Sequence, residues 1–295
     1  MIQKFRYHIL MHLIIFMWGF TGILGKLIEI DALYIVWFRI LIAFLSLGLG
    51  LYLLKMPMRI PDRKLLLKTL GVGMVVATHW ITFYTSIQLS TASLGILCLS
   101  TTTLHVTWLE PLLLKKPFSK VEFLFGCLVI FGIYFVSDSF DATQLKALMI
   151  GLFSALCAAF FSVCNAKLVE DVPSSSITLH EMGIGLVFMT VVLASQGMLN
   201  KSMFNMTGSD LGWLLFLGIL CTSFAFLATI EVMKKLGAFT VSLSINLEPV
   251  YTILLAIPIL HENEMLNGHF YAGSAMIILV VIANAVYKAA VRKRL

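Results

Sequence analysis

Glu248 is a carboxylate midway along an apolar run, with Asn246 and Pro249 beside it. If that run crosses a bilayer, Glu248 lies too deep to snorkel to either interface, and an intramembrane ionisable group points to function. The apolar surroundings penalise the charged form, so the carboxyl suits a proton or a cationic ligand, one at a time. Pro249 removes a backbone hydrogen bond and frees a carbonyl, which is tolerable where a helix lines a cavity. The plainer alternative is a carboxyl neutralised by a proton or a neighbouring helix, with a packing role only.

His79 and His105 also lie deep in apolar runs. His105 shares a helical face with Thr101 and Trp108, and His79 with Thr82 and Phe83. A histidine titrates near neutrality and can pass a proton; a hydrogen-bonded histidine between helices is the competing reading for each. Arg39 stands about two turns into its run. Pairing with an acidic group or snorkelling outward accounts for it without any role in function. Trp18, Trp80 and Tyr84 offer an aromatic wall for a ligand or cation, though ordinary packing explains them equally. Glu110 and Glu231 fall near run ends and read as interfacial.

No enzyme signature completes itself. His180-Glu181 and His261-Glu262 begin like the zinc-protease motif, but the position of the second histidine holds Ile184 and Met265. No cofactor or metal is called for. Cys98, Cys127, Cys157, Cys164 and Cys221 lie inside apolar runs without C-x-x-C spacing, as reduced packing residues do.

The elements that must position these groups follow from bulk composition. The 295 residues are 60% hydrophobic and 12% charged, with mean hydropathy +0.97. Soluble domains carry about twice that charge, so lipid is the solvent for most of the surface. Ten long apolar segments are expected: 6–27, 32–54, 65–87, 91–114, 120–138, 145–167, 174–198, 210–232, 236–259 and 266–287. Continuous runs of this length predict an all-α integral membrane protein rather than a closed barrel. The first run is preceded by Lys4 and Arg6 without a cleavage site, so it reads as a retained helix.

With a cytoplasmic N-terminus, the inner connections and ends hold Lys4, Arg6, Lys55, Arg59, Arg63, Lys64, Lys115, Lys116, Lys120, Lys167, Lys234, Lys235, Lys288, Arg292, Lys293 and Arg294. The outer side holds only Lys26, Lys146 and Lys201. That asymmetry predicts ten spans with both termini cytoplasmic, in an inner or plasma membrane. It also assigns the net charge of +6 to loops facing anionic lipid rather than to nucleic acid.

An internal repeat is present. Lys26-Leu27-Ile28-Glu29 recurs as Lys167-Leu168-Val169-Glu170, Leu89-Ser90-Thr91 pairs with Leu236-Gly237-Ala238, and Pro111 pairs with Pro258. The repeat spans five helices, residues 1–138 and 145–290. Five is odd, so the copies insert with inverted topology, an architecture of secondary transporters with a midplane site. Alignment of the halves sets His180 against Arg39. It also sets Ser100-Thr101-Thr102-Thr103 against the Pro249 region, so the two helices should bend differently.

Trp18-Gly19 followed by Lys26, Arg39 in the second helix, the stretch Pro249 to Glu262, and Gly126 and Gly273 together resemble EamA domains of the drug/metabolite transporter superfamily. The resemblance covers essentially the whole chain. It implies a ten-helix carrier whose helices one, three, four, six, eight and nine surround a central cavity, with five and ten peripheral. It further implies export of an amino acid or other small metabolite, with protons as a candidate coupling ion; a homodimer stays open. Two other classes compete: an intramembrane enzyme acting on a lipid or isoprenoid, for which clustered carboxylates are lacking, and a non-transporting receptor or scaffold, which needs no inverted repeat.

Overall fold

The structure is a computed structural model that describes residues 2–115, 117–137, 140–236, 241, 244, 245, 247–264 and 266–292. Among these residues it is all helical. The helices are α1 (Ile2–Leu27), α2 (Ala32–Leu53), α3 (Arg63–Leu89), α4 (Ala92–Ser100), α5 (Thr102–Leu114), α6 (Lys120–Ser137), α7 (Ala142–Leu168), α8 (Ser174–Ser195), α9 (Gly208–Leu215), α10 (Ala225–Leu236), α11 (Glu248–Leu260) and α12 (Gly268–Arg292). A π-helical segment, Phe216–Phe224, joins α9 to α10 without a break. Eight helical stretches are long and apolar enough to cross a membrane, and Glu248–Leu260 and Gly268–Asn284 are shorter apolar helices.

Helix starts coincide with the polar residues between apolar runs. Asp62 accepts from Leu65 N (2.8 Å) and Thr91 from Leu94 N (3.0 Å); Asp141 with Gln144 and Thr207 with Asp210 form reciprocal capping boxes. Beyond the caps the helices are apolar on all sides. Ile14, Ile35, Leu47 and Leu217 are wholly buried, while Leu45, Leu49, Ile130 and Leu254 point outward and are more than half exposed. Such a surface would drive a soluble protein to aggregate; it fits a chain solvated by lipid.

The chain's two parts interlock. Helix α1 packs on α10 and α11, α2 on α8 and the π segment, α3 on α7 and α8, and α4 on α7 and α11, while α6 and α12 pair at one side. Close approach sets three helix contacts, α1 on α11, α1 on α3 and α6 on α12. On α1, Gly19, Gly22 and Gly25 recur every third residue: a methyl group added at Gly22 would lie 3.1 Å from Thr252 Cγ2 of α11, and one at Gly25 would lie 2.9 Å from Tyr84 of α3. In the α6–α12 pair, a methyl at Gly273 would fall 2.6 Å from the Gly132 carbonyl oxygen. Small residues substitute for lipid-driven association by letting backbones touch.

The fourth helix of each part changes at a matching register. In the first part Thr101 separates α4 from α5, its Oγ1 returning to the Cys98 carbonyl at 2.7 Å. In the second, Leu247 caps α11, so Glu248 and Pro249 occupy its first turn. The expectation of Pro249 within a continuous helix 236–259 is therefore corrected: proline sits where its missing N–H costs nothing. Pro111 and Pro258 follow Thr101 and Glu248 at the same spacing, inside α5 and α11.

One end of the bundle is tied by buried carboxylates. Glu262 is 2% exposed; its Oε1 accepts from Ala92 N (2.6 Å) and its Oε2 from Ser93 N (3.1 Å), capping α4. Asp210 accepts from Glu29 N at 2.8 Å, joining the α1–α2 connection to α9. Gln88 accepts from Ala32 N and donates to the Ile30 carbonyl.

Candidate functional site

Arg39 is the centre of a buried polar cluster. It projects from α2 and is 6% exposed. Its Nε donates to Thr222 Oγ1 at 3.1 Å and one terminal nitrogen donates to the Tyr84 hydroxyl at 3.1 Å. The guanidinium carbon lies 4.0 Å over the Trp80 ring and 5.9 Å from that of Tyr84. Trp80 and Tyr84 are one turn apart on α3, so both rings face the same space. The aromatic wall expected for a ligand cation is thus occupied by a cation of the chain itself. Neither anticipated explanation of Arg39 holds among the described residues: the side chain is too buried to snorkel, and no carboxylate lies within 4 Å.

Thr222 reaches Arg39 because of the π segment. In that wider turn Thr222 Oγ1 donates to Leu217 O at 2.8 Å and Ser223 Oγ to Gly218 O at 3.2 Å, each five residues back. Ser223 Oγ also lies 3.0 Å from Ala43 O, sharing its one hydrogen between the two carbonyls, and Gly218 fits against Ile42 with no room for a methyl group. The segment is therefore locked against α2 beside Arg39, and π-helical turns frequently mark functional sites.

Glu248 opens α11 next to the glycine face of α1. Thr252 Oγ1 donates to Gly19 O (2.8 Å) and lies 3.1 Å from Glu248 O, holding the first turn of α11 on α1 beside Trp18. Trp18 and Glu248 are half-buried. The Glu248 side chain has no hydrogen bond or ion pair among the described residues. Asn246 lies outside the described residues.

The remaining candidates separate from this centre. His79 turns toward α7: its Nδ1 is 3.0 Å from Ser154 O and 2.8 Å from Ser154 Oγ, and Ser154 Oγ is 2.9 Å from His79 O. Donation of the single hydroxyl hydrogen to His79 O leaves Nδ1–H to donate to Ser154 O, a closed interhelical pair. His105 stands on α5 edge-on to Trp108, centroids 6.3 Å apart, and Trp108 is 40% exposed. Thr101 bonds within its own helix. Two shallow clefts among the described residues lie apart from Arg39, one among Leu104, Gly126 and Asn284, the other among Ser90, Phe140 and Asn267.

Several polar residues escaped sequence reasoning. Thr222 carries no signal in an apolar run. His12 pairs with Tyr251 OH at 3.0 Å. Glu181, beside the aligned counterpart of Arg39, is 4% exposed on α8, and its Oε1 has no partner among the described residues. Glu262 was visible as half of a failed metal motif and as the end of the Pro249 to Glu262 stretch, without its capping role.

The EamA-like transporter family model matches residues 5–138 and again residues 145–286. The chain belongs to the EamA-like transporter family. It is thus a multi-pass membrane transporter of the drug/metabolite transporter superfamily, which sets aside the enzyme and scaffold classes at family level. A solved structure described as "Crystal structure of protein" is similar in fold, with TM-score 0.66 and 15% identity over 97% of this chain and 99% of that one. No curated protein matches the sequence.

Proposed function

We propose that this EamA-like transporter is a ten-span secondary carrier, both termini cytoplasmic, that exports a small metabolite such as an amino acid by alternating access. Its two five-helix units, residues 1–138 and 145–290, insert with opposite topology and rock about the region between Arg39 and Glu248. Export is driven by protons through Glu248, whose carboxyl binds a proton or the cationic group of the substrate but not both.

The observation that carries this reading is the placement of Glu248: an acid without a side-chain partner among the described residues, at the start of α11, where α1 and α11 meet through Gly19, Gly22 and Thr252. A group left unpaired where two packed helices meet can trade partners as they move. His79, closed onto Ser154, is not offered that exchange.

The test is flux from reconstituted vesicles loaded with a metabolite mixture and followed by mass spectrometry. Wild-type protein is expected to move a subset of compounds faster under a pH gradient. Glu248→Gln is expected to abolish the gradient-driven part while retaining exchange; wild-type gradient dependence in that variant refutes the coupling role. The topology is checked by cysteine accessibility at Asp62 and Lys116, expected inside, and at Asp141 and Glu264, expected outside. A reversed pair refutes it.

A further inference from the structure

We propose that Arg39 is the receptor for a carboxylate group on the transported molecule, and that Trp80, Tyr84 and Thr222 are positioning residues that hold the guanidinium without neutralising it. This rests on the carrier reading above and adds the chemistry of the substrate's anionic end. The sequence favoured a structural Arg39; the geometry points elsewhere.

A guanidinium has five N–H donors in a rigid fork. Two are committed here, one to Thr222 and one to Tyr84, both through neutral hydroxyl oxygens. The ring of Trp80 stabilises the cation over its face without contributing a formal charge. A structural arginine at this depth is ordinarily paired with an acid, since an unpaired buried ion is costly. Among the described residues none pairs with Arg39. The arrangement fixes the orientation of the fork and leaves donors uncommitted, as a preorganised anion receptor requires.

The architecture adds an independent reason. The acceptor on one side, Thr222, is delivered by the π segment, and the acceptor on the other, Tyr84, packs against Gly25 of α1. Arg39 is thus gripped by elements from both parts of the chain, α2 and α3 on one side and the π segment on the other. A ligand bound by the free donors would feel any relative movement of those parts, as a carrier's substrate must. A planar carboxylate matches the fork in two parallel bonds, and an amine on the same molecule would extend toward Glu248.

The experiment is thermal unfolding of the purified full-length protein in detergent, titrated with sodium acetate against sodium chloride at equal ionic strength and pH, with inorganic phosphate as a second arm. Wild-type protein is expected to show a saturable acetate-dependent rise in its midpoint. Arg39→Lys keeps the charge but loses the fork, so its half-saturating acetate concentration should rise about tenfold or more. Arg39→Gln should show no acetate response, with a ligand-free midpoint equal to or above that of wild type. If Arg39→Gln does not fold, Arg39→Lys and Thr222→Val carry the comparison. Absence of a saturable response in wild type, an undiminished response in Arg39→Lys, or a stronger response to phosphate than to acetate overturns the proposal. Vesicle flux separates the two readings. Flux without an acetate response removes the receptor and leaves the carrier. An acetate response without flux does the reverse.

Discussion

Replacing Glu262 by alanine should loosen the start of α4 specifically. Glu262 is 2% exposed and accepts from the first two backbone amides of that helix, Ala92 at 2.6 Å and Ser93 at 3.1 Å. Those donors have no intrahelical partner, because they begin the helix. Thr91 satisfies only Leu94 N, at 3.0 Å. Alanine therefore leaves two buried N–H groups unpaired, at about 1–3 kcal/mol each, or about 2–6 kcal/mol together. Glutamine keeps one carbonyl oxygen and should cost about 1–2 kcal/mol.

Hydrogen exchange in lipid nanodiscs reads this directly. A loss of 1.4 kcal/mol is tenfold in an opening equilibrium, so the amides of Ala92 and Ser93 should exchange at least about 30-fold faster in Glu262→Ala and about tenfold faster in Glu262→Gln. The amides of α6, which packs on α12 and α5 away from this cap, should be unchanged. Exchange at Ala92 and Ser93 within about threefold of wild type in Glu262→Ala refutes the cap. Uniform acceleration across all helices would instead mean that Glu262 supports global folding rather than this junction.

Two further outcomes follow from packing. Gly22→Val places a branched side chain against Thr252, where even a methyl carbon would lie 3.1 Å from Cγ2, so it should destabilise by about 1–3 kcal/mol in denaturant unfolding from mixed micelles; a neutral effect would mean that α1 and α11 are not in close contact. Ser154→Ala removes the hydroxyl that donates to His79 O but keeps the Ser154 carbonyl that accepts from Nδ1–H, so it should cost about 1 kcal/mol while leaving the pH dependence of flux unchanged; a shifted pH profile would return His79 to the coupling pathway.

The span pattern was legible because hydropathy is a local property. Runs such as 32–54 and 120–138 reappear as Ala32–Leu53 and Lys120–Ser137, bounded by residues whose side chains cap or end helices. The family resemblance was legible for the same reason: Trp18-Gly19, Arg39 and Gly273 can be seen one at a time. The environment of Arg39 was not. Its partners come from Tyr84 and Thr222, far apart in sequence, and the turn that aims Thr222 is π-helical, a local geometry that composition does not signal. Sequence could rank Arg39 as costly; only the fold says that neutral groups surround it. His79 shows the converse. Its depth suggested proton transfer, and its partner Ser154, on the other half of the chain, shows where its hydrogen bonds go.

The two fourth helices sharpen the division between scaffold and chemistry. They were expected to bend differently, since one has threonines where the other has proline. Both are interrupted at a matching register, Thr101 in one and Leu247–Glu248 in the other, with Pro111 and Pro258 equally far beyond Thr101 and Glu248. Threonine can interrupt a helix by returning its hydroxyl to a carbonyl of the preceding turn, as Thr101 does to Cys98. Proline starts a helix because its φ is already helical and its absent N–H is not needed. Unlike residues thus stand where the two helices are interrupted, so the interruption does not require Glu248 to be acidic. An ionisable group is a costly way to occupy a position that threonine fills in the other half. On the carrier reading proposed above, the carboxyl serves transport rather than the backbone, so removing its charge should change transport before it changes the fold.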